Sequence, residues 1–410
     1  MIQTIVLEKG NRARNMPLDY QQIREQVIRL GKKAPARQQE LLEKRRRARA
    51  LLESHSRDLE ALRGKVQEVV RYYDPTLRCA LPVSEPLDAV FSSPPLPGPV
   101  TIIAADGSQI TPDRHAEVEY GLINVGAICS RAGSSEAPRQ TIESELLFDE
   151  DLYTRSGRIT DARLALLRDL KERTILADLA ENAAPPLVTF TDGPMELWAT
   201  REAGVETTDF QNSLAGYLAA LERLQQMGVV TAGYVDKPSA NLVVRLLEVA
   251  SLERSRLAEV RDAQPLRGVT DRHLFSDLLA PGERSVVFAL QSQSASSYSG
   301  PLALHFFYLN VGREGNPTLA RVEAPAWVVE TDSMLDLLHA VLVDQCQKLG
   351  SRTYPYLLQR AHETARVALL EKEQVTQMVV QELRRRGVQV EAGSQKQASK
   401  DMEGRTRYKL

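Results

Sequence analysis

The chain has 410 residues, of which 43% are hydrophobic and 26% charged, with a net charge of −2. That length exceeds one ordinary core and predicts two or three structural units of soluble globular composition. No run of about 18 apolar residues occurs, which excludes a membrane-spanning helix.

The three cysteines, Cys79, Cys129 and Cys346, lie far apart with no CxxC pairing, which argues against a zinc site or a disulfide framework. The opening Met1 to Gly10 lacks the basic and long apolar regions of a secretory leader, so a cytoplasmic location is expected. The small net charge hides an asymmetry. Residues 1–80 hold 18 Lys and Arg against 10 Asp and Glu, a net of +8. Residues 376–410 hold 8 against 4, a net of +4, which leaves −14 for residues 81–375. Basic ends around an acidic centre suit a protein that grips a polyanion at its periphery and holds cations in its middle.

Residues 18–73 read as helix, broken into two by Gly31 to Pro35. The second helix carries an apolar stripe of Leu41, Leu42, Ala48, Leu51, Leu52, Leu59 and Leu62, compatible with a helical hairpin or a dimer contact. Its run Lys44 to Arg49, with Arg45, Arg46 and Arg47 at its centre, is a candidate phosphate-contact patch. Residues 81–99 hold six prolines in 19 residues and predict a linker. Beyond it the pattern changes. Val100 to Ala105, Val118 to Ile128 and Thr141 to Phe148 predict strands, and 160–182 a helix. Pro186 to Thr191 predicts a buried strand, Asp209 to Met227 a helix, Val229 to Val235 a strand and Asn241 to Val260 a helix.

Residues 263–330 predict a strand-rich insertion, with strands at Ser285 to Leu290, Leu302 to Leu309 and Ala320 to Val329. The polar stretch Gln291 to Gly300 predicts a flexible loop. Helices are expected at Ser333 to Lys348 and Pro355 to Arg386, followed from Gly387 by a basic, mobile tail. The order β-β-β-α-β-α-β over 100–260 implies an α/β fold with a mixed sheet flanked by helices.

Three apolar runs end in charged residues: Asp106, Asp192 and Lys237. Ligands sit at the carboxyl ends of strands in open sheets, so these side chains are expected to converge. A lone Asp-Gly opens a turn. Two of them ending strand-like runs in one unit point instead to neighbouring carboxylates, which repel unless a divalent cation lies between them. Oxygen-rich sites of this kind select Mg²⁺ or Mn²⁺. On the intervening helix, Glu172 shares a face with Ile175, Leu176 and Leu179, whereas Asp169 and Asp178 point elsewhere. An inward carboxylate needs a partner, either a metal or Arg168 one turn earlier. His362 falls on one helix side with Leu358, Ala361, Ala365 and Leu369, where an imidazole can bind Mn²⁺ or move a proton.

An acidic strand end, an acid on the next helix, a second acidic strand end and a late helical ligand resemble the ribonuclease H-like arrangement. More narrowly, the chain resembles the NurA family of DNA-repair nucleases. The resemblance rests on Ala105-Asp-Gly-Ser108, Thr191-Asp-Gly193, Tyr234-Val-Asp-Lys237, Phe306-Phe-Tyr-Leu309, Ala320-Arg-Val-Glu-Ala-Pro325 and Tyr354-Pro-Tyr through Ala361-His362, in family order over about residues 100–370. Pro194 stands where the family usually has Ser. Glu145 and Glu181 are alternatives to Glu172. The resemblance implies a ribonuclease H-like nuclease domain over 100–375 and a metal-dependent 5′-to-3′ exonuclease with single-strand endonuclease activity. It also implies Mn²⁺, a homodimer, and a hexameric HerA-type translocase that feeds DNA for end resection in double-strand break repair.

On this reading Asp106, Glu172, Asp192 and His362 hold two metal ions that activate water and stabilise the leaving oxygen. Lys237 neutralises a phosphate oxygen, and Tyr308 stacks on a base. A non-catalytic DNA-binding adaptor that docks on an ATPase is the alternative. The sequence has no GxxxxGK[ST] loop, so ATP-driven movement would come from a partner.

Overall fold

The computed structural model describes residues 18–154, 157–197, 207–350 and 352–390. The tail from 391 onward lies outside them. Helix α1 (Tyr20–Ser54) runs without interruption through Gly31 and Pro35. The expected break is therefore displaced to residues 55–58, before α2 (Leu59–Tyr72). Residues 18–40 are all exposed, so water can satisfy the carbonyl that Pro35 leaves without a donor. The proline-rich stretch holds no helix, yet it is no free linker. β1 (Cys79–Pro82) and β2 (Val90–Phe91) join the main sheet, and Leu87 between them is fully buried.

Strands β3 (Val100–Ile110), β4 (Gly121–Ala132) and β5 (Arg139–Leu147) form an antiparallel meander. A small hairpin, β6 (Tyr153–Thr154) and β7 (Gly157–Arg158), leads into α3 (Asp161–Ala180). β8 (Leu187–Asp192) then pairs parallel to β3, and β9 (Val230–Asp236) follows α4 (Thr207–Gln226) to pair parallel to β8. The helix expected over 241–260 stops at Ser251 as α5 (Leu242–Ser251), and a 3₁₀ turn follows at Arg254–Glu259.

After α6 (Asp271–Phe275), the strand-rich stretch does not form a separate module. β10 (Arg284–Ser285), β11 (Phe288–Gln291), β12 (Leu304–Asn310) and β13 (Leu319–Pro325) extend the same sheet beyond β9. The main path is β1-β11-β12-β13-β9-β8-β3-β4-β5, whose β5-β4-β3-β8-β9 portion gives the ribonuclease H-like mixed sheet. The last expected strand ends early, in the short α7 (Ala326–Val329). The stretch Gln291 to Gly300 is partly packed: Ser292, Ala295 and Tyr298 are buried.

Period-two alternation then sorts the faces. Ile103 and Ala105 face the core with α3 and α4. Ile102, Ala104, Val188, Phe190, Ala232 and Tyr234 face the other core, with α8 (Asp332–Gln347) and α9 (Tyr356–Ala365). The final helix was expected to be one piece. It breaks at residues 366–368, and α10 (Leu369–Arg385) is separate.

Candidate active site

The same alternation places the acidic residues. Asp106 continues the parity of Ile102 and Ala104, Asp192 that of Val188 and Phe190, and Asp236 that of Ala232 and Tyr234. Three carboxylates thus leave one face where the parallel pairing of β3, β8 and β9 ends. Gly107 falls on the opposite face, under α3. A Cβ there would lie 2.7 Å from Glu172 Oε1 and 2.6 Å from Arg168 Cγ. The missing side chain lets α3 bring Glu172 to the strand beside Asp106. Gly126 plays the matching part for α9, since a Cβ there would lie 2.7 Å from the Ala365 amide nitrogen. That close seat lets His362 reach over the sheet, where its Nδ1 lies 2.7 Å from Asp106 Oδ2.

Electrostatics ties the group together. Glu172 is 5% exposed, and burial, then Asp169 and Asp106, push its carboxyl well above the ordinary range. Arg168, with Nε 3.3 Å from Glu172 Oε1, only partly opposes this. Asp192 is likewise raised by desolvation and by Asp106 and Asp236, against a hydrogen bond from Tyr354 and the nearby His362. Tyr354 packs edge-on to Tyr234 at 5.6 Å between centroids, which fixes its hydroxyl toward Asp192. The loop after Asp192 is pinned twice: Gly193 N donates to Tyr234 O at 2.8 Å, and Met195 N donates to the buried Glu323 Oε2 at 2.8 Å.

Asp106, Glu172, Asp192 and His362 are therefore brought together. Glu145 and Glu181 are not: Glu145 pairs with Lys171, and Glu181 accepts from Arg223 at 2.5 Å. Asp169, expected to point elsewhere than Glu172, keeps a part-exposed side chain on Arg168. Burial and Asp106 raise its carboxyl, against Arg168 at 2.8 Å. Asp236, not singled out from the sequence, stands with Asp106 and Asp192 at the end of β9, and strand parity is the signal that marks it. Lys237 sits exposed on the turn after β9 with a left-handed φ of 45°, with no ion pair to Asp106 or Asp192 among the described residues. Leu369 lies beyond the helix break and is exposed, so it does not share the His362 face.

Tyr308 is a correction. It is fully buried, its hydroxyl donates to Asp271 Oδ2 at 2.6 Å, and its ring stacks on Phe275, so no base can reach it. Arg46 and Arg47 are exposed, whereas Arg45 is half-buried with its Nε unpartnered among the described residues. All three lie on α1, which packs on α5 and α6 and not on the acidic strand ends.

The NurA domain model matches residues 100–367. The chain belongs to the NurA family. For this NurA-family chain that membership supports a nuclease, with the ordered motifs and the mixed sheet in agreement. No curated protein matches it. The crystal structure of the NurA nuclease from Sulfolobus solfataricus is similar with a TM-score of 0.44 and 11% identity, covering 78% of this chain and 94% of that one. A crystal structure of NurA bound to dAMP and manganese gives 0.34 and 10%, covering 79% and 94%. The catalytic domain of human endonuclease V gives 0.30 and 12%, covering 78% and 98%. All three scores lie below 0.5, so the family assignment rests on the domain match.

The donor set of this NurA-family site fits a hard divalent cation. Oxygen ligands dominate, one imidazole is adjacent, and the Asp106 charge disfavours the ionised forms of both Glu172 and Asp192. As they stand, with Asp106 on His362 and Glu172 on Arg168, no three of the described His, Cys, Asp and Glu side chains form a ready metal cage. Among the described residues no helix is long and apolar enough to cross a membrane.

Proposed function

We propose that this chain is a metal-dependent DNA nuclease whose ions, Mn²⁺ or Mg²⁺ and two in number, are held by Asp106, Glu172, Asp192 and His362. The observation that carries the reading is the convergence on Asp106 of carboxyls from α3 and β8, since the Asp106 charge helps to raise both Glu172 and Asp192 above their ordinary range. Such repulsion is relieved by a cation. A bound ion supplies Lewis-acid polarisation of a phosphodiester and a more acidic water.

The chain's own groups do the rest. Tyr354 orients Asp192 through its hydroxyl. His362 holds Asp106 and sits half in solvent, where an imidazole can accept or return a proton. Lys237, on an exposed turn beside Asp236, neutralises a phosphate oxygen in this reading, which its exposed ammonium supports. Arg46 and Arg47, with Arg45 behind them, offer phosphate contacts along α1.

Within this reading, residues 100–375 are the nuclease unit, 1–80 a basic helical region, 81–99 the connection and 376–410 a basic end. The chain cuts 5′-to-3′ with single-strand endonuclease activity. It acts as a cytoplasmic homodimer on a HerA-type hexameric translocase, in end resection during double-strand break repair. The test is incubation of the purified chain with 5′-labelled single-stranded DNA, with and without Mn²⁺, beside Asp106→Ala and Asp192→Ala. Mn²⁺-dependent degradation that both substitutions abolish is expected. Full activity in both folded variants sinks the metal site, and binding without cleavage by the wild type leaves the adaptor.

A further inference from the structure

Helix α3 carries a further charged side chain, fully buried, that the acidic centre does not use directly. Arg173 follows Glu172 and is 1% exposed. Its Nη1 donates to Thr231 Oγ1 on β9, and its Nη2 donates to Thr191 Oγ1 on β8, each at 2.9 Å. Thr231 also accepts from Thr189 on β8 at 2.8 Å. The ring of Tyr217 on α4 lies 5.4 Å from the guanidinium carbon. Among the described residues Arg173 has no ion-pair partner, and its Nε is buried without a hydrogen bond.

A buried guanidinium with only hydroxyl partners is costly, so its retention calls for an explanation. Two features supply one. The negative field of Glu172 and Asp169 offsets the buried charge, and Arg173 in turn draws both carboxyls toward their ionised forms. The attachment points are also specific. The fork begins next to Glu172 and ends next to Asp192, because Thr191 precedes that aspartate on β8. Its other prong reaches the strand that ends in Asp236.

We propose that Arg173 is a positioning residue: its two-pronged hydrogen bond braces α3 against β8 and β9, and so sets Glu172 against the strand ends that carry Asp192 and Asp236. The proposal rests on the metal-dependent nuclease reading. A planar fork spans two acceptors on neighbouring strands, which an ammonium cannot match.

The test uses the full chain without DNA and measures Mn²⁺ binding by the electron paramagnetic resonance of the free ion. Thr191→Val with Thr231→Val removes both acceptors and keeps the charge, while Arg173→Lys keeps the charge and loses the fork. Both should bind Mn²⁺ about 10- to 100-fold more weakly, as outer supports of metal sites typically do. On single-stranded DNA, kcat should fall in step while KM moves by less than about twofold. Thr191→Ser keeps the hydroxyl and should retain wild-type affinity. It also decides the matter if the double variant folds poorly, because equal loss in Thr191→Ser and Thr191→Val would assign the effect to packing and overturn the brace. Wild-type Mn²⁺ affinity and kcat in the folded double variant would overturn it directly. A wild-type chain that neither binds Mn²⁺ nor cuts DNA would sink the nuclease reading, and the brace with it.

Discussion

At the scale of single residues, Asp106 and Gly107 show what a dipeptide can and cannot reveal. Asp-Gly reads locally as a turn, yet β3 continues through both residues to Ile110. The space a Cβ would need there is taken by the Arg168 and Glu172 side chains of α3. That closeness is a tertiary fact, invisible in the local pattern, whereas the inward face of Glu172 was legible from its helical spacing. Gly107→Ala should therefore cost about 1–3 kcal/mol in urea unfolding, by overpacking, and should lower kcat by displacing Glu172. Wild-type stability and rate would show that α3 yields freely.

Glu172 itself gives a signed prediction. A carboxyl raised in the folded state favours folding when protonated, so its ionisation destabilises the metal-free protein as pH climbs from the unfolded value near 4.5 upward. Glu172→Gln should raise Tm in EDTA at neutral pH, while the Tm gain on adding Mn²⁺ shrinks and nuclease activity disappears. A lower Tm in EDTA, by scanning calorimetry, would mean that the ionised carboxylate stabilises the fold through Arg168.

At the scale of elements, the chain order and type of the elements from β3 to β9 were largely readable, because that stretch alternates apolar runs with helical periods. The helix ends were not. Pro35 promised a break that an exposed, water-satisfied helix does not need, and Arg366 to Ala368 hold no Pro or Gly to announce the break that occurs there. The cause is distant in sequence. The Ala365 carbonyl accepts from Asn124 Nδ2 at 2.7 Å and Ser108 Oγ at 2.5 Å, side chains of β4 and β3. They take the place of a helical amide at the end of α9, and Val367 and Val375 then pack on Ile110, Tyr120 and Leu122. Tyr308 failed for a related reason, since an aromatic on a strand gives no sign of which core it enters.

The end of α9 is thus held from below, one turn beyond His362. Asn124→Ala removes the buried donor and leaves Ser144 Oγ without its 2.6 Å acceptor. It should destabilise the fold by about 1–3 kcal/mol and lower kcat more than KM, measured by urea unfolding and steady-state kinetics. Loss of stability with unchanged kcat would show that His362 keeps its place without this anchor.

At the scale of the whole molecule, charge and chemistry sit on different elements. The acidic centre lies where the parallel pairing of β3, β8 and β9 ends, while a net of +8 is concentrated in residues 1–80. On the proposed reading a phosphate backbone is drawn to the second and cut at the first, so affinity and turnover should separate on mutation. Arg46 and Arg47 are exposed on α1 and make no contact with the acidic centre, which makes them the clean place to look. Each phosphate contact on a single strand adds about 0.7 to the slope of log K against log salt. Arg46→Ala with Arg47→Ala should then flatten that slope by about 1.4, raise Kd most at low salt, and leave kcat at saturating DNA unchanged. Fluorescence anisotropy across a salt series reads the first two, and a saturated nuclease assay the third. An unchanged slope would leave α1 a solvated helix face, and the source of DNA affinity would then have to be sought nearer the carboxylates, where Lys237 stands exposed on the turn after β9.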